Sequence, residues 1–380
     1  MVCPVRPVSG VEKKIRRGAV RKTARVSAMC AIAVLVLAGC GERSTGNEAS
    51  GSDSPSATES SSAPSEQFAD FKACMVSDSG GFDDKSFNQT SHDGLLKAEE
   101  DMGVQTGEVE SNAPSEFADN IQAMVDEDCK SITTVGFLLG DATLAAAKKN
   151  KDVDFSIVDF AYPKAPENLK GLTFNTAEPA YLAGYLAAAK SETGVVGTFG
   201  GLNIPTVTIF MTGFVQGVEK YNEDNGADVK VIGWDPETEK GSFTNDFESK
   251  TKGQSTAEEM ITQGADVIFP VAGPAGLGGL QAAQDNDVKG IWVDTDGCTS
   301  AAEYCDVLLT SVMKGMDVAV ETAIEDAASG QFSNEVYEGT LENGGVGLAP
   351  YGPQADIDSE LDGQIQDLKQ QIIDGEIKDG

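Results

Sequence analysis

The chain is poor in positive charge, in histidine and in long apolar runs. Of its 380 residues, 28 are Lys or Arg against 61 Asp or Glu, a formal net charge of −33. So acidic a surface repels nucleic acid and anionic lipid, which excludes a nucleic-acid binder. An anionic small ligand would need a locally basic pocket, and no basic cluster is present to make one. The single histidine, His92, has no Cys or His neighbour at metal-ligand spacing. With no dense Asp cluster and no nucleophile–base constellation either, metal and nucleophilic catalysis lose their usual residues.

What is present begins with an address. Eight Lys or Arg residues precede a short apolar run, Ala28 to Leu37, followed by Leu37-Ala38-Gly39-Cys40. A basic region, an apolar run too short to span a bilayer and small residues before a cut read as a signal peptide, residues 1–39. "LAGC" looks like the bacterial lipobox, in which Cys40 is lipidated and becomes the first residue. Residues 40–67 then form a tether: Gly41 to Glu66 is rich in Ser, Gly, Ala and Glu, without aromatic or large aliphatic residues to build a core. A flexible segment of that length spans ~28 Å root-mean-square. Cleavage removes eight basic residues and one acid, leaving a net charge of −40. The exported body holds Cys74, Cys129, Cys298 and Cys305. An even number outside the cytoplasm favours disulfides, Cys298 with Cys305 across one loop and Cys74 with Cys129 between neighbouring strands; buried free thiols are the alternative.

From Phe68 onward, short apolar runs alternate with stretches of helical spacing. "KACMVS" (72–77), "SITTVGF" (131–137), "DFSIVDF" (154–160), "GVVGTFG" (194–200), "VKVIGW" (229–234), "DVIFPVAG" (266–273) and "GIWVDTD" (290–296) are strand-like. The alternation predicts an α/β chain of two doubly wound parallel-sheet lobes. The expected division is 68–175 plus about 297–330 for the first lobe, and 176–296 plus about 331–380 for the second. Ligands of such sheets bind beyond the carboxyl ends of the strands. There the sequence places Asp78, Asp159, Trp234, Gly273 and Asp294.

The stretch "SGGFDDKSFNQ" (79–89) lacks both the Walker spacing and G-x-G-x-x-G, and its acids do not follow the calcium-loop pattern. Phe87 and Asn88 remain as pocket candidates at the start of a helix over 86–102, with Ser86 as its cap and Asp83 and Asp84 as turn and helix-start residues.

Six collinear blocks carry a resemblance: "DSGGFDDKSFNQTSHDGL" (78–95), "AEPAYLAGYLAA" (177–188), "GGLNIPTVTIFMTGFVQGVEKYN" (200–222), "GADVIFPVAGPAGLG" (264–278), "IWVDTDG" (291–297) and "LLTSVMKGMDVAV" (308–320). They resemble the basic membrane protein family, lipid-anchored substrate-binding proteins of ABC importers that include a purine nucleoside receptor. The resemblance implies a type I periplasmic-binding-protein fold closing on a nucleoside. It implies Phe87 as one stacking wall with Asn88 beside it, Asp78 and Asp159 as polar contacts, and Gly273, Asp294 and Lys314 at the ribose. Trp234 stands where the family places the opposite Phe, and Asp294 is preferred to Asp296 as the ligand-facing carboxylate. Further implications are a monomer at the extracytoplasmic face of the membrane, ABC permease subunits as partners, no cofactor and no enzymatic activity. The alternatives are another sugar-like or signal ligand on the same fold, or a nucleoside hydrolase.

Overall fold

In the computed structural model, residues 67–377 are described; the signal peptide, Cys40 and the tether up to residue 66 lie outside them. The first part of the chain alternates β1 (Lys72–Ser77), α1 (Phe87–Met102), β2 (Gln105–Val109), α2 (Phe117–Asp126), β3 (Ser131–Val135), α3 (Gly140–Lys149), β4 (Asp154–Val158) and β5 (Leu169–Phe174). Next come α4 (Ala177–Lys190), β6 (Val195–Gly200), α5 (Pro205–Asn225), β7 (Lys230–Ile232), and a small ribbon of β8 (Trp234–Asp235) and β9 (Lys240–Gly241). Then follow α6 (Lys250–Thr262), β10 (Val267–Val271), α7 (Gly273–Asp285), β11 (Lys289–Asp294), α8 (Gly297–Ser300) and β12 (Leu308–Lys314). Last are α9 (Met316–Ala328), β13 (Tyr337–Gly339), β14 (Val346–Leu348) and α10 (Ser359–Ile373).

The strands form two six-stranded sheets, ordered β13-β5-β4-β3-β1-β2 and β14-β12-β11-β10-β6-β7. Their pairings are parallel apart from β12 with β14. Strands such as β3 and β10 are buried at every position, as strands covered by helices on both faces must be.

The chain crosses between sheets after β5, after β12 and after β13. This corrects two of the expected boundaries. Residues 308–314 belong to the second sheet, because the apolar β12 pairs along β11; residues 337–339 belong to the first, because β13 pairs with β5. Helix α9 returns to the first lobe and packs on α1, where a Cβ on Gly94 would stand 2.4 Å from the Asp317 carbonyl oxygen.

Helix α4 is apolar nearly all round, and eleven of its residues are buried. It lies backbone-close to α5: a Cβ on Gly217 would meet the Tyr181 carbonyl oxygen at 1.9 Å, and one on Gly213 the Ala177 carbonyl oxygen at 2.3 Å. Disulfides join Cys74 to Cys129 and Cys298 to Cys305, with Cα atoms 5.9 and 4.5 Å apart.

Candidate ligand-binding site

In each sheet the strand order turns back beside its first strand, β1 in one and β6 in the other. The carboxyl ends at such a switch point are where a doubly wound sheet leaves a crevice. Here the two crevices face each other in one cleft. The first lobe contributes Asp78 after β1, Gly136 after β3 and Asp159 after β4; the second contributes Gly273 after β10, Asp294 at the end of β11 and Lys314 at the end of β12. Asp159 and Asp294 hold left-handed backbone, φ 64° and 71°, which Asp tolerates better than most residues and which concentrates at functional sites.

Lys314 is the charge centre. Its Nζ lies 2.6 Å from Asp159 Oδ2 across the lobes and 3.7 Å from Asp294 Oδ1 within its own lobe. The same ammonium stands 5.0 Å from the ring centre of Phe87 and 5.1 Å from that of Phe210. Burial pushes the Asp159 carboxyl up, and Lys314 pulls it partly back. An ion pair this deep is stable only when its remaining lone pairs and protons find partners.

Asp78 differs, having no cation within salt-bridge reach among the described residues. Burial pushes its carboxyl up to about 8; the Asn88 amide draws it back and the Asp84 and Asp159 charges push it further. A Cβ on Gly136 would sit 2.2 Å from Asp78 Oδ2, so only glycine leaves that carboxyl its place. Asn88 Nδ2 donates to the Ser79 carbonyl oxygen at 3.2 Å, while its Oδ1 is buried without a donor among the described residues. A buried acceptor left open costs ~1–3 kcal/mol, which a donor on a ligand would recover.

Asp84 fixes the start of α1. Its Oδ1 accepts from the backbone N–H groups of Ser86 (2.9 Å) and Gln89 (3.0 Å), and its Oδ2 from that of Asn88 (3.0 Å). These bonds set the register that turns Phe87 and Asn88 to the cleft. Burial still pushes the Asp84 carboxyl up to about 6. Ser86, expected as the cap, makes no capping bond with its side chain. Its hydroxyl instead donates to Asp294 Oδ2 on the other lobe at 2.6 Å.

Seven of the eight expected site residues line the cleft: Asp78, Phe87, Asn88, Asp159, Gly273, Asp294 and Lys314. Trp234 does not, and the expectation of an indole wall is corrected. Its strand, β8, belongs to the separate ribbon rather than the six-stranded sheet, so the strand-end rule does not apply to it. The indole is buried, donates from Nε1 to Thr212 Oγ1 at 3.0 Å and meets Phe243 edge-on. The aromatic faces supplied by the second lobe are Phe247 and Phe210. Phe247 depends on two distant positions. Its carbonyl oxygen accepts from Ala275 N at 2.7 Å, and a Cβ on Gly201 would stand 2.3 Å from its ring. The signal available in the sequence was the pair of phenylalanines in "GSFTNDF" (241–247). Asp296 faces away from the cleft, accepting from Cys298 N at the start of α8, so Asp294 is the carboxylate in the cleft.

In this closed arrangement about 70 Å³ of free space remains in the cleft. Small-molecule sites usually offer ~300–1,000 Å³, so a ligand of that size enters only when the lobes part.

Comparison with known proteins agrees with the two-lobed fold. Residues 71–379 match the family model Bmp, described as ABC transporter substrate-binding protein PnrA-like. The CD4+ T-cell-stimulating antigen of Listeria monocytogenes is 31% identical over 81% of this chain and 88% of its own length. The ABC transporter nucleoside-binding protein BmpA of Lactococcus lactis is 29% identical over 94% and 98%. Among solved structures, an ABC transporter solute-binding protein of Aeropyrum pernix superposes with a TM-score of 0.72 at 26% identity, covering 81% of this chain and 92% of that one. The chain therefore belongs to the Bmp family of PnrA-like ABC transporter substrate-binding proteins.

Proposed function

We propose that the protein captures a nucleoside, with a purine base, between its two lobes and hands it to an ABC permease while Cys40 anchors it by lipid to the extracytoplasmic face of the membrane. The observation that carries this reading is one cleft lined by Phe87 from one lobe, Phe247 from the other, and Lys314 between Asp159 and Asp294. Flat faces from both lobes suit a base, and stacking on an aromatic ring contributes ~1–3 kcal/mol per base. The Asp159 and Asp294 carboxylates accept hydrogen bonds from ribose hydroxyls, and Lys314 donates to them. Asn88 Oδ1 accepts from a ring N–H or amino group, and a protonated Asp78 can donate to a ring nitrogen. The name of the Lactococcus lactis relative points the same way.

Calorimetric titration with adenosine, guanosine, inosine, uridine and ribose tests the proposal. Purine nucleosides are expected to bind tightest, uridine more weakly and ribose weakest. Ribose binding as tightly as adenosine would remove the stacking role, and free hypoxanthine after incubation with inosine would reveal a hydrolase.

A further inference from the structure

A second cavity opens on the hinge side of the Lys314–Asp159 pair. Its walls come from the first crossover (Phe174 to Thr176), the start of α5 (Thr206 and Ile209) and Glu338 on β13. Asp159, Thr206 and Lys314 line both this chamber and the cleft, so these three side chains stand between the two spaces. The chamber offers about 310 Å³, against about 70 Å³ in the closed cleft.

The chemistry of the walls restricts the occupant. Lys314 is already matched by Asp159, and Glu338 adds a further negative charge, so phosphate and carboxylate groups are disfavoured. Phe174 and Ile209 supply apolar surface, and Thr206 supplies a partly exposed threonine. Such a space suits a small uncharged or cationic substituent. If the carboxylates of the cleft hold the vicinal hydroxyls of a ribose, the 5′ position is the end left to reach past Lys314.

We infer that the binding site is bipartite, and that the hinge-side chamber receives a neutral or cationic 5′ substituent of the nucleoside. The inference rests on the nucleoside reading above and adds a substrate class to it: 5′-modified nucleosides are ligands alongside the parent compounds.

The test is calorimetry with adenosine, 5′-methylthioadenosine, 5′-amino-5′-deoxyadenosine and adenosine 5′-monophosphate on the wild type and on Ile209→Trp. Ile209 lines the chamber but not the cleft. The neutral and cationic derivatives are expected to bind within tenfold of adenosine, and the monophosphate at least 100-fold more weakly. Ile209→Trp should weaken the two derivatives at least tenfold while holding adenosine within threefold. Ile209→Phe is a milder second variant, and unchanged adenosine affinity reports its folding. Derivatives more than tenfold weaker than adenosine on the wild type overturn the chamber alone, as does a variant that treats adenosine and its derivatives alike. Failure of adenosine itself to bind overturns the nucleoside reading, and the proposed chamber ligand with it.

Discussion

Ser86 Oγ on the first lobe donates to Asp294 Oδ2 on the second at 2.6 Å, and both residues are buried. A hydrogen bond to a charged acceptor contributes ~1.5–3 kcal/mol, and this one exists only when the lobes are closed. Ser86→Ala is therefore expected to weaken ligand affinity about tenfold, mostly through faster release. Stopped-flow release kinetics check it. The Lys85–Glu303 ion pair also joins the lobes, but at an exposed rim, so Lys85→Ala should change affinity by less than about threefold.

The two aromatic candidates of the second lobe separate cleanly. Phe247→Ala should reduce nucleoside affinity roughly 5- to 150-fold, the range of one lost stacking face. Trp234→Ala should lower the melting temperature through lost burial while leaving affinity nearly unchanged. Calorimetry and thermal unfolding of the two variants, side by side, decide between them.

Asp78 gives stability a pH dependence of defined sign. Its folded pKa, pushed up to about 8, lies above the unfolded value of 3.8. The native state therefore holds a proton that the unfolded chain has released, and the resulting stability is complete below about pH 4 and lost as pH rises through 8. Asp84, pushed up to about 6, acts in the same direction over a lower window. Asp78→Asn should remove the Asp78 part, so the variant gains on the wild type in melting temperature from pH 5 to pH 9.

The disulfides should contribute unequally. Cys74–Cys129 spans a sequence separation of 55 and Cys298–Cys305 one of 7. Loop-closure entropy predicts ~4 kcal/mol for the first and ~2.5 kcal/mol for the second. Denaturant unfolding of Cys74→Ser/Cys129→Ser and Cys298→Ser/Cys305→Ser should rank them in that order.

The parallel strands were legible because burial on both faces writes them as continuous apolar runs; "KACMVS" coincides with β1. Strand β2, "QTGEV", escaped because it lies at a sheet edge with no fully buried position. The strand-end rule located Asp78, Asp159, Gly273 and Asp294 and misled at Trp234, which follows a strand that turns away into a ribbon. Phe247 carries no periodic signal. Its place depends on Gly201 and Ala275, contacts that form only once the second lobe has folded. The Ser86–Asp294 bond joins residues 208 positions apart, and no local pattern announces such a pair.

Lys314 is the last residue of β12, and Gly315 begins the crossover, its N–H bonded to the Gly345 carbonyl oxygen beside the return crossover. Its ammonium reaches Asp159 on the first lobe and stands 3.7 Å from Asp294, the same carboxylate that Ser86 reaches from the first lobe. The two cross-lobe contacts therefore share one short chain of groups, Asp159–Lys314–Asp294–Ser86, fastened at the edge of the crossover. Parting the lobes breaks that chain as a unit, so closure is all-or-none at this point rather than a graded approach of two surfaces.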